Sequence, residues 1–275
     1  MGAQNYNRLK NWFTGQKKVL VALSGGVDSS LLAKVAFDAL NLQTKAITGI
    51  SSTLSADERN DSAQICKWIG INHIEIQTDE MDNHSFVQND SLRCYHCKKE
   101  LFEKCLQWAS SRNFSCIVEG THQDDLKGHR PGYQAGVELG IRSPFVELKF
   151  GKKEIRELAH YLRLPNWNKP ALACLSSRFP SGIAITEKEL SHIEQCEKYL
   201  REFGLKQFRV RYHGDLLRLE VSQEDTECIF KNEHRNQILN QLQSLGFKYI
   251  TLDLKPFRSE KWIKELELTQ ASEQI

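Results

Sequence analysis

The chain has 275 residues, of which 40% are apolar and 26% charged, with a formal net charge of +2. This composition is typical of a globular protein with a substantial core, and so weak a charge balance argues neither for nor against nucleic-acid binding. No run approaches the ~20 apolar residues of a membrane span, and the N-terminus lacks the apolar core of a signal peptide. We therefore expect a cytoplasmic protein without membrane contact, in which the eight cysteines are free thiols, metal ligands or catalysts.

The first half of the chain alternates between predicted strands and predicted helices. Strands are predicted at 18–23, 44–50, 72–77 and 115–119, and helices at 29–39, 56–70 and 98–112. Alternation at this interval indicates βαβ units and a parallel sheet. Ligands bind such sheets beyond the carboxyl ends of the strands, where the segments LSGGVDSS, TGISST and EGTHQDD fall.

The pattern changes after about residue 165. A proline-containing stretch, 166–185, is predicted to be a connecting loop, and a helix follows with Thr186 as its N-cap and Gly204 at its end. The segments FRVRYH, LLRLEV and YITLDL resemble strands. The prediction is an α/β chain: a Rossmann-like parallel-sheet domain at 1–165 and a smaller α+β domain at 186–275.

A glycine-rich turn links the first strand to the first of these helices. Its polar and glycine positions are Ser24, Gly25, Gly26, Asp28, Ser29 and Ser30. A strand-to-helix turn offers free N–H groups and the positive end of the helix dipole, which bind phosphate, and glycines let the backbone approach it. Asp28 would repel phosphate unless Mg²⁺ or a nearby lysine lay between them. The alternative is a glycine-rich turn without a ligand.

The string SGGVDSS resembles the PP-loop of the N-type ATP pyrophosphatases. That resemblance implies a domain that cleaves ATP to AMP and pyrophosphate, with the AMP joined to a substrate oxygen. A nucleophile would then displace AMP.

Three cysteines bear on the nucleophile. Cys94 and Cys97 form a lone CxxC motif, which suits a redox pair, half of a zinc site, part of an iron–sulfur site or coincidence. Cys174 lies in the connecting loop, where Arg178 would favour its thiolate; the alternative is a small buried residue. The other five cysteines fall within predicted helices or strands and are interpreted as core or surface residues without a chemical role.

Charged residues mark two further candidate sites. Arg209 and Arg211 alternate on a predicted strand, so both face one side and suit a phosphate; the alternative is a solvated face. Asp124 and Asp125 follow the fourth predicted strand and are candidates for metal or catalytic work, or plain solvated carboxylates.

The resemblance extends over nearly the whole chain to one family. The segments SGGVDSSLLAKVA, LRCYHCKKELF, EGTHQDD…HRPG, NWNKPALACLSSRFPSG, FRVRYHGDLLRLEV and YITLDL are similar, in order, to LarE, the sulfur transferase of nickel-pincer cofactor synthesis. His129 departs from the family's YRPG. The resemblance implies a pyridinium-3,5-dicarboxylate mononucleotide substrate whose carboxylates are adenylylated with ATP and Mg²⁺ and become thiocarboxylates. It assigns Arg209 and Arg211 to the substrate phosphate, and Asp125 and Glu197 to catalysis.

The family implies two sulfur sources. In one, the loop cysteine, here Cys174, gives up its own sulfur; in the other, three cysteines hold a [4Fe-4S] cluster that carries sulfide. The set Cys94, Cys97 and Cys174 favours the cluster. The family also suggests a homo-oligomer, and a sulfur-donor protein is a possible partner. The alternatives are a tRNA-thiolation enzyme, which the small net charge disfavours, and a nucleotide-binding module without catalysis.

Overall fold

A computed structural model describes residues 2–128, 130–170 and 173–257. The chain divides into two compact units between Lys169 and Pro170. The division falls within the segment predicted to connect two domains.

The first unit carries four strands and eight helices among its described residues. The strands are β1 (Val19–Ala22), β2 (Thr44–Ile50), β3 (Asn72–Gln77) and β4 (Cys116–Val118). The helices are α1 (Gly2–Thr14), α2 (Val27–Leu40), α3 (Ala56–Ile69), α4 (His84–Val87), α5 (Arg93–Ser110), α6 (Pro131–Glu138), α7 (Pro144–Glu147) and α8 (Lys152–Tyr161).

The four strands form a parallel sheet in the order β3-β2-β1-β4. The chain runs outward from β1 to β3 and then crosses to the other side of β1 to form β4. The crevice between the carboxyl ends of β1 and β4 is therefore the switch point of the sheet, the usual ligand site of this architecture. The predicted α/β class with a parallel sheet is confirmed.

Helices cover both faces of the sheet because β1 alternates its side chains between two apolar clusters. Val19 and Val21 pack with residues of α1, α2 and α8, including Phe13, Leu31 and Leu158. Leu20 and Ala22 point to the opposite face, where α5 contributes Phe102 and Cys105. This packing on both sides holds the end of β1, and the loop that follows it, in a fixed place.

Helix α5 begins earlier than the sequence suggested. The predicted helix started at residue 98, but the structure begins it at Arg93, so Cys94 and Cys97 are the second and fifth residues of the helix.

The second unit is an α+β arrangement. Its described helices are α9 (Glu187–Glu202), α10 (Gln223–Phe230) and α11 (Asn232–Ser244), and its strands are β5 (Phe208–His213), β6 (Leu216–Val221) and β7 (Tyr249–Leu252). β5 and β6 form an antiparallel hairpin that turns at Gly214, whose φ of 68° suits glycine, and β7 pairs parallel to β6. FRVRYH and LLRLEV, two of the segments that resemble strands in the sequence, are strands in the structure.

None of the helices in the described ranges has the length and apolar character that a membrane crossing requires.

Candidate active site

The loop that leaves β1 is held in shape by hydrogen bonds among its own polar groups. The Ser24 N–H donates to Ser29 Oγ at 3.1 Å, and Ser30 Oγ donates to the Gly26 carbonyl at 2.8 Å. Asn166 Nδ2 donates to the Gly25 carbonyl at 3.0 Å and to Ser30 Oγ at 2.9 Å. Ser29 and Ser30 are buried, so their hydroxyls shape the loop from beneath.

Gly25 is required by both its conformation and its surroundings. Its φ is 73°, and a Cβ at this position would lie 2.8 Å from Ser62 Oγ and 3.2 Å from the Ser62 backbone nitrogen. An alanine would therefore have to move the start of the loop away from α3.

The N-terminus of α2 lies directly after this loop. Gly26 is the N-cap in an extended conformation, and as a glycine it has no side chain to cap the helix. The first N–H groups of α2 can therefore donate hydrogen bonds to an anion such as phosphate, which the positive end of the helix dipole also attracts. This loop is the segment predicted to bind ATP.

Asp28 lies in the first turn of α2 and is paired with a lysine. Lys152 Nζ lies 2.9 Å from Asp28 Oδ1 and 2.8 Å from Oδ2. The sequence indicated that a carboxylate in a phosphate loop needs a cation beside it, and Lys152 is such a cation. Two carboxylate oxygens at a phosphate site are also the hard ligands that Mg²⁺ prefers.

The segment after β4 packs directly against this loop. A Cβ on Gly120 would lie 3.1 Å from the Ser29 nitrogen and 3.2 Å from Asp28 Cβ. The buried carboxylate of Glu119 accepts hydrogen bonds from Thr121 Oγ1 at 2.7 Å and from Ser143 Oγ at 2.5 Å. These contacts fix the position of the two aspartates that follow.

Asp124 and Asp125 have different surroundings. Asp124 Oδ2 accepts a hydrogen bond from the Lys152 backbone N–H at 2.8 Å. The pKa of the Asp124 carboxyl is lowered, and the largest cause is the hydrogen bond from the Lys127 ammonium. Asp125 lies 2.5 Å from Arg130 through Oδ1 and 3.4 Å from His122 Nε2 through Oδ2. Asp124 thus holds the start of α8, whereas Asp125, the predicted catalytic residue, is half-buried between exposed Arg130 and buried His122. His129 lies outside the described residues.

The CxxC thiols lie one helical turn apart at the start of α5. Cys94 is exposed and Cys97 is half-buried. Burial, by contrast, raises the pKa of the Cys66, Cys105 and Cys196 thiols to about 12, and that of Cys116 to about 11. Metal binding and nucleophilic attack need thiolate, so these four buried cysteines are poor candidates for either role.

Cys174 lies in the second unit, immediately before a 3-10 turn at Leu175–Arg178. Arg178 donates to the carbonyls of Ala173 at 2.5 Å and Cys174 at 3.3 Å. The same guanidinium holds the buried Glu197 carboxylate by two bonds of 2.8 Å and 3.0 Å. Glu197, predicted to act in catalysis, therefore anchors the arginine that shapes the Cys174 loop.

The two alternating arginines of β5 lie near Arg178. Burial is the largest cause of the lowered pKa of Arg209, and the nearby Arg178 and Arg211 cations lower it further. Arg211 donates to the Ser177 carbonyl at 2.8 Å and to Glu220 at 3.0 Å, while its buried Nε meets no acceptor among the described residues. Three guanidinium groups thus share one region of the second unit, which suits a dianionic phosphate.

Within the described ranges, the structure does not bring three or more His, Cys, Asp or Glu side chains together as a metal site. Cys94 and Cys97 belong to the first unit and Cys174 to the second. Thiolates are the donors that iron–sulfur clusters use, so the chemistry of the three residues fits such a cluster.

Sequence reasoning missed two residues that complete the loop. The sequence left open whether Mg²⁺ or a lysine would neutralise Asp28, and Lys152 was not identified. Asn166, which hydrogen-bonds the loop, was not predicted either. A signal for the lysine existed, since Gly151 and Glu154 form a capping arrangement that makes Lys152 the first residue of a helix.

Comparison with known proteins agrees with this geometry. The chain matches the family model described as NAD synthase over residues 7–238. It is 36% identical over 245 residues to the pyridinium-3,5-bisthiocarboxylic acid mononucleotide synthase of Lactiplantibacillus plantarum, a match that covers 88% of each chain. An uncharacterized protein of Synechocystis, slr1717, is 41% identical over 253 residues, or 92% of this chain and 94% of that protein.

Similarity to a tRNA-specific 2-thiouridylase, MnmA of Synechococcus, is limited to part of the chain. That match is 32% identical over 133 residues and covers 43% of this chain and 34% of the relative. A match of this extent indicates that the two proteins share one domain and not the full length of their chains.

A parallel sheet whose central strand leads through SGGVDSS into an uncapped helix, together with the family match, defines a PP-loop ATP pyrophosphatase. Its relatives place it more narrowly. The chain belongs to the LarE family of ATP-dependent sulfur transferases.

Proposed function

We propose that this enzyme uses ATP to convert the carboxylates of pyridinium-3,5-dicarboxylate mononucleotide into thiocarboxylates for a nickel-pincer cofactor. The observation that carries the proposal is the similarity, over 88% of each chain, to the pyridinium-3,5-bisthiocarboxylic acid mononucleotide synthase. The loop of the first unit and the arginine group of the second supply a nucleotide site and a phosphate site.

The reaction has two steps for each carboxylate. A carboxylate oxygen attacks the α-phosphorus of ATP, and pyrophosphate leaves to give an acyl adenylate. Sulfide then attacks the acyl carbon, and AMP leaves with the electron pair of the broken C–O bond, which gives the thiocarboxylate. No oxidant or reductant is needed when the sulfur enters as sulfide.

The loop residues Ser24 to Ser30 would bind the phosphates of ATP at the start of α2. Asp28 would hold Mg²⁺, which supplies charge neutralisation to the phosphates when bound. Asp125, half-buried and next to Arg130, would orient groups at the edge of the nucleotide site.

Arg209 and Arg211 would bind the phosphate of the mononucleotide. Two observations support this assignment: burial and the neighbouring Arg178 and Arg211 cations lower the pKa of Arg209, and the buried Nε of Arg211 meets no acceptor among the described residues. Glu197 would contribute through Arg178, by holding the Cys174 loop in place.

Cys94, Cys97 and Cys174 would hold a [4Fe-4S] cluster, which supplies sulfide from its open iron when bound. The exposed Cys94, the half-buried Cys97 and the half-buried Cys174 support this, while burial and the raised pKa of four other cysteines make those four poor candidates as ligands. The second candidate source is the sulfur of Cys174 itself, released by β-elimination from a thioester intermediate. A cytoplasmic setting, a homo-oligomeric enzyme and a protein that supplies sulfide complete the proposal.

Pyrophosphate release with a panel of acceptors tests the substrate. The full chain would be given MgATP and, separately, the dicarboxylate mononucleotide, the same compound without its phosphate, a pyridine monocarboxylate nucleotide and tRNA. We expect fastest release with the dicarboxylate mononucleotide and a large loss without the phosphate. Release with tRNA alone would overturn the proposal.

Iron and acid-labile sulfide in anaerobically purified protein test the sulfur source. We expect about four irons per chain in the wild type and in a Cys228→Ala control, and loss of iron in Cys174→Ala. No iron in any sample would exclude the cluster, and loss of sulfur from Cys174 during turnover would then identify it as the donor.

A further inference from the structure

A buried carboxylate lies at the edge of the parallel sheet where β2 and β3 end. Glu80, the first residue of a short 3-10 turn after β3, is 2% exposed. Its Oε1 accepts hydrogen bonds from the hydroxyl groups of Ser51 and Thr53, the second at 2.7 Å. These donors occupy one oxygen of the carboxylate. The other, the buried Oε2, meets no hydrogen-bond partner among the described residues.

Glu100 of helix α5 brings a second carboxylate to the same edge. Its Oε1 accepts the Asp79 backbone N–H at 2.5 Å, so it contacts the chain one residue before Glu80. Its Oε2 is also buried and has no hydrogen-bond partner in the described ranges. Burial is the largest cause that raises the pKa of Glu100, and the Glu80 carboxylate raises it further. Two unpaired carboxylate oxygens, from segments in direct contact, therefore lie in one buried region.

The charges of this group do not balance within the described structure. Asp79, Glu80 and Glu100 contribute three carboxylates. The ammonium group of Lys104 lies 2.5 Å from Asp79 Oδ2 and 3.5 Å from Glu100 Oε1, which leaves two negative charges to be matched. A buried carboxylate without a counter-ion is costly, and a buried polar atom without a partner can mark a site for water or an ion.

We propose that Glu80 and Glu100 bind a divalent metal ion through their Oε2 atoms, at a site that uses none of the residues of the nucleotide loop. Two carboxylates with hydroxyl groups beside them form an all-oxygen set, which suits Mg²⁺ or Mn²⁺ and not the softer metals. The described residues do not gather three acidic, His or Cys side chains here, but Mg²⁺ keeps several waters and is commonly bound by one or two carboxylates. Its charge of +2 matches the two negative charges.

The metal ion joins helix α5 to the edge of the sheet. Glu100 lies three residues after Cys97 on α5, and so on the same face of the helix, whereas Glu80 follows β3. The site therefore stabilises the part of α5 that carries the CxxC motif. The inference concerns metal binding and stability in the first unit, and it does not depend on the sulfur acceptor or on ATP.

Binding of Mn²⁺ to the full chain without nucleotide, measured by electron paramagnetic resonance, tests the site. We expect a bound Mn²⁺ that Mg²⁺ displaces and that Asp28→Asn retains, which separates it from the nucleotide loop. Glu80→Gln and Glu100→Gln should each weaken binding about tenfold or more, because each removes one of two anionic ligands. Glu103→Gln, also on α5 but with an exposed side chain, is the matched control and should bind as the wild type does.

Thermal unfolding of the metal-free chain gives a second measurement. A ligand that binds the folded chain stabilises it, so added Mg²⁺ should raise the unfolding midpoint of the wild type and of Glu103→Gln. It should leave the midpoints of Glu80→Gln and Glu100→Gln unchanged. Both measurements on the wild type stand even if a variant fails to fold.

The proposal is overturned if the wild type binds no Mn²⁺, which would mean that the two carboxylates share a proton or bind water instead. It is also overturned if Glu80→Gln and Glu100→Gln bind Mn²⁺ and respond to Mg²⁺ as Glu103→Gln does. None of these readouts uses ATP or the sulfur acceptor, so a failure of the proposed function would leave them unchanged.

Discussion

Arg178 holds Glu197 through two parallel hydrogen bonds, 2.8 Å and 3.0 Å long, and both side chains are nearly buried. The same guanidinium donates to the carbonyl groups of Ala173 and Cys174. A residue of helix α9 thereby sets the path of the loop that carries the proposed sulfur-handling cysteine.

Glu197→Gln should destabilise the second unit because it leaves the Arg178 charge buried without its counter-ion. Breaking a buried ion pair from one side costs about 3–5 kcal/mol. Urea denaturation followed in the second unit would measure the loss. Glu202→Gln, on the same helix but 65% exposed, should change stability by less than about 0.5 kcal/mol. Equal stability of both variants and the wild type would contradict this account of the pair.

Gly25→Ala should abolish ATP binding, since its Cβ would meet the backbone and side chain of Ser62 at the base of the loop. Gly182→Ala is a matched control, because Gly182 also has a positive φ, 83°, but no described atom within 4 Å of the added Cβ. We expect the control to cost about 1 kcal/mol of stability from backbone strain alone and to bind ATP normally. Normal ATP binding by Gly25→Ala would show that the loop does not need this conformation.

Alkylation of the native chain should distinguish two sets of cysteines. At about pH 8, a thiol whose pKa is about 12 is thiolate in only about one molecule in 10,000, so Cys66, Cys105 and Cys196 should remain unmodified. Cys94 should be modified in apo protein because it is exposed. Peptide mass spectrometry, with urea-unfolded protein as the control for reactivity, gives the result. Rapid modification of Cys66 in folded protein would be inconsistent with its burial.

Stability should fall as the pH drops from about 7 to about 5, with His73 as one cause. Burial, the largest influence, lowers the pKa of His73 in the folded chain, so the unfolded chain binds its proton more readily. A depressed folded pKa gives a stability contribution that is present above the ordinary value of 6.5 and lost as the pH falls through the folded value. His73→Gln should therefore reduce the slope of unfolding free energy against pH. An unchanged slope would show that His73 does not contribute.

Arg211→Ala should raise the KM for the mononucleotide about tenfold or more and leave ATP affinity unchanged, because the proposed phosphate contact is lost. Arg218→Ala removes a neighbouring guanidinium that also bonds Glu220, and serves as the control for loss of charge nearby. Steady-state kinetics with each substrate varied separately would separate the effects. Equal KM changes in the two variants would show that nearby positive charge in general attracts the mononucleotide, and would contradict a specific contact between Arg211 and its phosphate.

The strands that form the parallel sheet were predictable because their apolar runs are bounded by clear turns. Thr44–Ile50 and Asn72–Gln77 have the bounds expected from their sequence. The loop after β1 was predictable for the same reason, since glycines, hydroxyls and one aspartate follow directly after a buried strand. The start of α5 at Arg93 was not, because its N-cap residue is Leu92, whose side chain cannot accept a hydrogen bond.

Long-range pairs could not be read from the sequence. Lys152 is far from Asp28 along the chain, and Arg178 is separated from Glu197 by a loop and half of a helix. Such pairs depend on how helices pack across the sheet, which local patterns do not contain. The sequence indicated that Asp28 needs a cation but could not identify which lysine provides it.

In the proposed reaction, ATP cleavage is coupled to the replacement of a carboxylate oxygen by sulfur. The most direct measurement is an anaerobic reaction of the full chain with the dicarboxylate mononucleotide, MgATP and sulfide, in which AMP and the product are quantified together by mass spectrometry. We expect one AMP for each sulfur gained, with the monothiocarboxylate appearing before the bisthiocarboxylate. AMP formed without sulfur in the product, or sulfur gained without AMP, would contradict it.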